Sequence, residues 1–209
     1  MIKKPEKYDE IEVNQDFEKV ELGGHKAVIM EAIEYTSDFT GTTSLKVSID
    51  FDKSDKQPNY FTNSYKNDTR EDKKWSNQAI KYVSLKEEEN CIKMLKAFIT
   101  SVENSNPGFT YDWNKEVTQL KGKKVGVVYG LEEYQNNEGK TRTIAKIRNF
   151  RSIDKINDLM QIPDVKLLDN TYMSYDDYEE KLEERRSNQE ISNSLDTDLV
   201  EIKDEDLPF

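Results

Sequence analysis

The sequence predicts a mainly β protein: five strands in a small, partly open barrel, one helix between the third and fourth strands, and a disordered acidic C-terminal tail. Three observations carry this expectation. Several segments show apolar residues at a period of two, separated by turn signals. One long segment has helical periodicity instead. Finally, residues 161–209 hold 15 acidic and 5 basic residues, which is nearly all of the chain's net charge of -11.

The bulk composition sets limits. With 34% hydrophobic and 35% charged residues in 209 positions, one core with polar extensions is expected rather than two packed domains. No apolar run reaches the roughly 18 residues of a membrane span, and Met1 to Tyr8 lacks the apolar stretch of a signal peptide. A single cysteine, Cys91, excludes an internal disulfide and a multi-cysteine zinc site, which fits a reducing cytoplasm. Because the acidity belongs to the tail, residues 1–160 are nearly neutral and free to carry a basic face.

Residues 1–24 read as a charged lead-in, and residues 25–160 as the barrel domain. Gly23-Gly24 precedes the apolar run Ala27 to Tyr35, a buried strand. In SLKVSIDFD, Leu45, Val47, Ile49 and Phe51 alternate with Lys46, Ser48, Asp50 and Asp52, a half-buried strand paired to the first through a turn at Gly41. A third strand is expected at Tyr60 to Tyr65, and Lys66 to Val83, with Trp75, reads as loop or short helix. Ser84-x-x-Glu87 has the form of a capping box. It precedes Cys91, Leu95, Phe98 and Val102 at helical spacing, joined by Ile92 and Ile99, and Asn106-Pro107-Gly108 ends that helix.

Val125, Val127, Tyr129 and Leu131 mark the fourth strand, and a turn at residues 136–139 leads to the fifth, Thr141 to Ile153. Residues 161–186 read as an extension with a short acidic helix starting near Ser174 and presenting Tyr175, Tyr178 and Leu182 on one face. Ser187 to Thr197 is a polar run with too little apolar surface to fold, and residues 187–209 are expected to be the disordered tail. The order strand, strand, strand, helix, strand, strand is that of the OB-fold.

Catalytic chemistry finds little support. The one histidine, His25, stands beside a Gly-Gly pair without placed partners and reads as structural or solvent-facing. Asp50 and Asp52 lie two apart on a strand, a spacing that suits a divalent cation and equally a solvated strand face. No cofactor is called for.

The fifth strand is more informative, since strict alternation puts Arg142, Ile144, Lys146, Arg148 and Phe150 on one side. A basic face with rings suits single-stranded nucleic acid, whose phosphates follow positive charge while its bases stack on aromatics. Tyr60, Tyr65 and Trp75, with Lys46, Lys73 and Lys74, complete the expected interface; core packing of the tyrosines is the competing reading.

The chain ends DEDLPF, from Asp204 through Glu205, Asp206, Leu207 and Pro208 to Phe209. This resembles the acidic C-terminal tip of bacterial single-stranded DNA-binding proteins, with leucine where isoleucine is usual. FITSVENSNPG and LKGKKVGVVYGLEEYQNNEGKTRT resemble phage-encoded replication and recombination proteins of Gram-positive hosts, some considered single-stranded DNA-binding proteins.

The resemblance implies a non-enzymatic protein of the bacterial host cytoplasm that coats single-stranded DNA. Its tip would recruit replication, recombination and repair proteins. The physics of the tip agrees: a terminal Phe offers a ring and a carboxylate to one pocket, and the upstream acids steer it to a basic rim. Two other classes stay open at this point, an acidic protein that mimics DNA and a metal-dependent nuclease using Asp50 and Asp52. The oligomeric state, a homo-oligomer included, is equally open.

Overall fold

The computed structural model describes residues 19–157 and 160–184. It is mainly β, with strands β1 (Gly23–Thr36), β2 (Thr43–Phe51), β3 (Ile80–Ser84), β4 (Lys124–Gln135), β5 (Thr141–Arg151), β6 (Val165–Lys166) and β7 (Tyr172–Met173) in one sheet. Helix α1 (Tyr60–Asn67) precedes β3, α2 (Glu89–Ser105) follows it, and residues 175–184 form α3.

β1 is the hub. It pairs antiparallel with β2 from Ala27↔Phe51 to Thr36↔Thr43, and its first half pairs with β4 from Gly23↔Tyr129 to Val28↔Lys124. The register slips between Ile29 and Glu31, a bulge that bends β1 where its contact with β4 ends. β3 extends the sheet beyond β2, and β5 pairs with β4. The order β3-β2-β1-β4-β5 is antiparallel throughout.

No backbone ladder among the described residues joins β3 to β5, so the sheet is not closed by strand pairing. Side chains span the gap instead. Gln78 Nε2 donates to the Ala145 carbonyl at 3.4 Å, Lys146 Nζ to the Asn77 carbonyl at 2.8 Å, and the Tyr129 hydroxyl to the Gln78 carbonyl at 2.8 Å. Burial pushes the Tyr129 phenol well above its ordinary range, so it remains a donor there.

Two sequence expectations fail for stated reasons. Tyr60 to Tyr65 is not the third strand but the start of α1. Asn59 takes a left-handed conformation at φ 54°, and the Asp50 carboxylate, reaching across from β2, accepts the N–H groups of Phe61 and Thr62 at 2.9 and 3.1 Å. Two otherwise unpaired amides of the first turn are satisfied by a residue distant in sequence. Phe61 then packs on Phe51 with ring centroids 5.1 Å apart. The third strand is Ile80–Ser84, inside the segment read as loop.

The second failure is the capping box. Ser84 is held in β3 opposite Ser44, so it cannot begin a helix, and α2 starts at Glu89 without a side-chain cap. Of the predicted apolar face, Phe98, Ile99 and Val102 enter the core, whereas Ile92 is exposed and Cys91 and Leu95 lie at its margin.

β4 is buried on both faces from Val125 to Gly130, which alternation alone did not foretell. After β5 the chain folds back across the outer side of the sheet. A Cβ built on Gly126 would stand 2.6 Å from Ile156 Cγ1, and one on Gly24 2.9 Å from Met160 Sδ. Glycine is needed here for close approach. The extension then adds β6, parallel to β4 at Glu132↔Lys166, and α3 docks through buried Tyr178, whose hydroxyl donates to Glu133 Oε1 at 2.9 Å. The expected acidic helix, starting after Ser174, is present.

His25 is fully buried. It stacks on Phe51 at 4.1 Å, while Nδ1 meets Asp55 Oδ1 at 2.9 Å and Nε2 meets the Glu21 carbonyl at 3.0 Å. Both ring nitrogens thus face an oxygen atom. Burial acts to raise the Asp55 carboxyl, but the His25 hydrogen bond and the amides of Gln57 and Lys26 outweigh it and hold the group below the usual carboxylate range.

Gly126→Ala should lower stability by about 1–3 kcal/mol, since Ile156 must move off β4, and a thermal melt by circular dichroism checks this. Asp55 contributes stability that is present above its unfolded pKa of about 3.9 and is lost as pH falls through its lower folded value. In Asp55→Asn the acid limb of the stability profile, from about pH 5 to pH 2, should flatten; urea midpoints across that range measure it.

Candidate nucleic-acid interface

The face of β1, β2 and β3 turned away from the core forms the most coherent surface. Pairing aligns Ile33, Lys46 and Tyr82 in one row across the three strands, and Tyr35, Ser44 and Ser84 in the next. The rings of Tyr35 and Tyr82 lie diagonally, 5.5 Å apart, and are 39% and 47% exposed. At the tip of the β1–β2 hairpin, Phe39 is 98% exposed. Two rings therefore lie beside Lys46 on this sheet face, with Glu31 the acidic member of the adjoining row.

A second aromatic group adjoins this face. Trp75 Nε1 donates to the Ile49 carbonyl at 3.3 Å, one residue beyond the last β2–β3 pair, so the indole takes the edge position that β3 vacates. Its ring is 5.8 Å from that of Tyr65, and Lys73 Nζ sits 4.9 Å above the Tyr65 ring. Ile49 lies three residues along β2 from Lys46, about 10 Å away. Lys74 is exposed on the same connection.

The structure thus gathers Lys46 with one aromatic group, and Tyr65, Trp75 and Lys73 with the other. Tyr60 instead turns toward Phe51 and Phe61. Phe150 leaves the basic side of β5 altogether. The register slips between Val128 and Tyr129 opposite Arg148, which reverses the alternation and buries Phe150 against Phe98 at 4.5 Å. Lys146 spans the gap between β5 and the turn before β3, and Arg142 pairs with exposed Tyr134 near the β4–β5 hairpin tip. Arg148 lies above the Tyr172 ring at 5.1 Å, away from the β1–β3 face.

Tyr35, Phe39 and Tyr82 escaped the sequence reading. For Tyr82 the sequence does carry a signal, the β-prone run Ile80 to Val83 with Ile80 and Tyr82 two apart, but it lies inside the segment Lys66 to Val83 that reads as loop or short helix.

Asp50 and Asp52 are engaged in the fold. Asp50 also accepts the Phe51 amide at 2.8 Å, and Asp52 accepts from Ser54 and pairs with Lys124 at 3.3 Å. Among the described residues no group of three potential metal ligands comes together. The tip, Asp204 to Phe209, lies outside the described residues, as does the predicted tail from residue 187.

No family model matches the chain, and no curated protein matches it. The functional reading therefore rests on the residues. No helix among the described residues is long and apolar enough to cross a membrane.

Because the two rings stand on the surface, Tyr35→Ala with Tyr82→Ala should change folding stability by no more than about 1 kcal/mol. Trp75→Phe should cost about 0.5–1.5 kcal/mol through loss of its bond to Ile49. Chemical denaturation of the two variants separates a surface role from a packing role.

Proposed function

We propose that this protein binds single-stranded DNA with little sequence preference and has no catalytic activity of its own. The observation that carries this reading is the pair of exposed tyrosine rings beside Lys46 on the outer face of β1–β3, with exposed Phe39 at the tip of the β1–β2 hairpin. A ring can stack on any base, but only when that base is free of a complementary strand, so such a face favours single strands and is tolerant of sequence. Lys46, Lys73 and Lys74 supply charge for the phosphates.

The sheet serves as an open barrel of the OB type. Its strand order, the placement of α2 between β3 and β4, and the side-chain bridges across the β3–β5 gap support this. The DEDLPF ending and its resemblance to the single-stranded DNA-binding proteins favour a division of labour. The barrel holds DNA while Leu207, Pro208 and Phe209 engage replication, recombination or repair proteins, in the setting of phage DNA metabolism.

Titration with an oligo-dT of about thirty nucleotides and with its duplex, followed by tryptophan emission at several salt concentrations, tests the reading. Preference for the single strand is expected, with a salt slope of about -0.7 per phosphate contacted. Tyr35→Ala and Tyr82→Ala should each weaken binding by about 1–3 kcal/mol. Removal of the last six residues should leave DNA affinity equal or higher. Absence of binding at low salt by both the full chain and the shortened one would overturn the proposal and favour DNA mimicry.

A further inference from the structure

A cationic seam runs along the opposite side of β3, outside the interface described above. Its first part is the groove where β3, β5 and α2 meet the extension, lined by Lys81, Arg148 and Lys166. Lys166 is paired with Glu132 at 2.9 Å, but Lys81 and Arg148 have no ion-pair partner within 4.0 Å among the described residues. Lys81 is half-buried; burial first, and the nearby Arg148, Lys166 and Lys146 next, lower its pKa. Glu132 lies among these cations and opposes that lowering, so the crowding is offset in part and an additional anion would relieve the rest.

The second part continues along the same two elements. Residues 147–149 of β5 line the first groove and residues 150–152 the adjoining one, where Lys96, Arg151 and Lys155 are exposed and likewise without an ion-pair partner among the described residues. Glu132 and Asp164 are the acidic lining groups of the two grooves. Exposed rings are scarce, Tyr172 being the one at hand.

β3 ends the sheet, and on it Lys81 and Tyr82 are neighbours pointing to opposite faces. A strand stacked on Tyr82 that crosses this edge meets Lys81 next, and then the remainder of the seam.

We infer that the seam is a second DNA track, which holds the phosphate backbone of the single strand after it leaves the aromatic face and crosses the edge of β3. The inference rests on the single-stranded DNA reading above. It makes the binding site two-part, with a stacking half on β1–β3 and a purely electrostatic half on β5 and α2.

The test compares an oligo-dT of about eight nucleotides, enough for one face, with one of about thirty. It uses the full chain and the variant carrying Lys96→Ala, Arg151→Ala and Lys155→Ala, whose retained fold is checked by circular dichroism. The variant should bind the short oligo as the parent does. For the long oligo its salt slope should be shallower by about 2, so that from roughly 50 to 200 mM salt the parent loses roughly 20-fold more affinity than the variant.

An unchanged long-oligo slope, or an equal loss for both lengths, overturns the second track while leaving single-strand binding intact. If removing residues 185–209 abolishes the difference between parent and variant, the seam holds the chain's own acidic end and the inference also fails. Failure of the parent to bind either oligo overturns both readings together.

Discussion

The fold depends on β1 sharing its two edges unequally. From Ala27 to Thr36 it pairs with β2, but on the other edge only Gly23 to Val28 meet β4. The bulge after Ile29 falls where that second pairing stops. A strand bound on both sides and then on one bends toward the bound side, and this curvature carries β2 and β3 around toward β5 without a ladder between them. An edge left open in this way would be exposed to unwanted pairing. Here Gln78, Lys146 and Tyr129 occupy part of it with specific side-chain bonds.

The core that results is closed at one end by polar groups that are all engaged. Asp50 holds the start of α1, and His25 joins Asp55 beneath the Phe51 ring. No buried side-chain nitrogen or oxygen among the described residues lacks a hydrogen-bond partner. Satisfied networks of this kind rigidify their surroundings, and an unsatisfied one would be costly. Carboxylates that resemble a metal pair in the sequence are therefore part of the scaffold, and the chemistry is left to the surface.

That surface separates two kinds of interaction. Rings occupy the outer face of β1–β3, and cations, several without an ion-pair partner among the described residues, occupy the seam of β5 and α2, where grooves run between elements. The glycines beneath Ile156 and Met160 allow the chain after β5 to lie close on β1 and β4, before the extension pairs with β4 at the rim of the seam. Packing in one place thereby sets the electrostatics of another.

By itself the sequence determined the strands with long clean patterns, β1, β2, β4 and β5, and the core of α2, because apolar periodicity reports directly on which residues must leave water. It also determined the acidic bias of residues 161–209. Tertiary structure alone decided the rest. YFTNSY has the composition of a strand, yet α1 forms because Asp50, ten residues earlier, satisfies its first amides and Phe51 offers a packing surface. Once that stretch is helical, Ile80–Ser84 becomes the third strand and Tyr82 comes beside Tyr35. The bulge at Arg148 likewise sends Phe150 inward against strict alternation. Each of these outcomes turns on a contact between residues far apart in the chain, and local pattern carries no trace of such contacts.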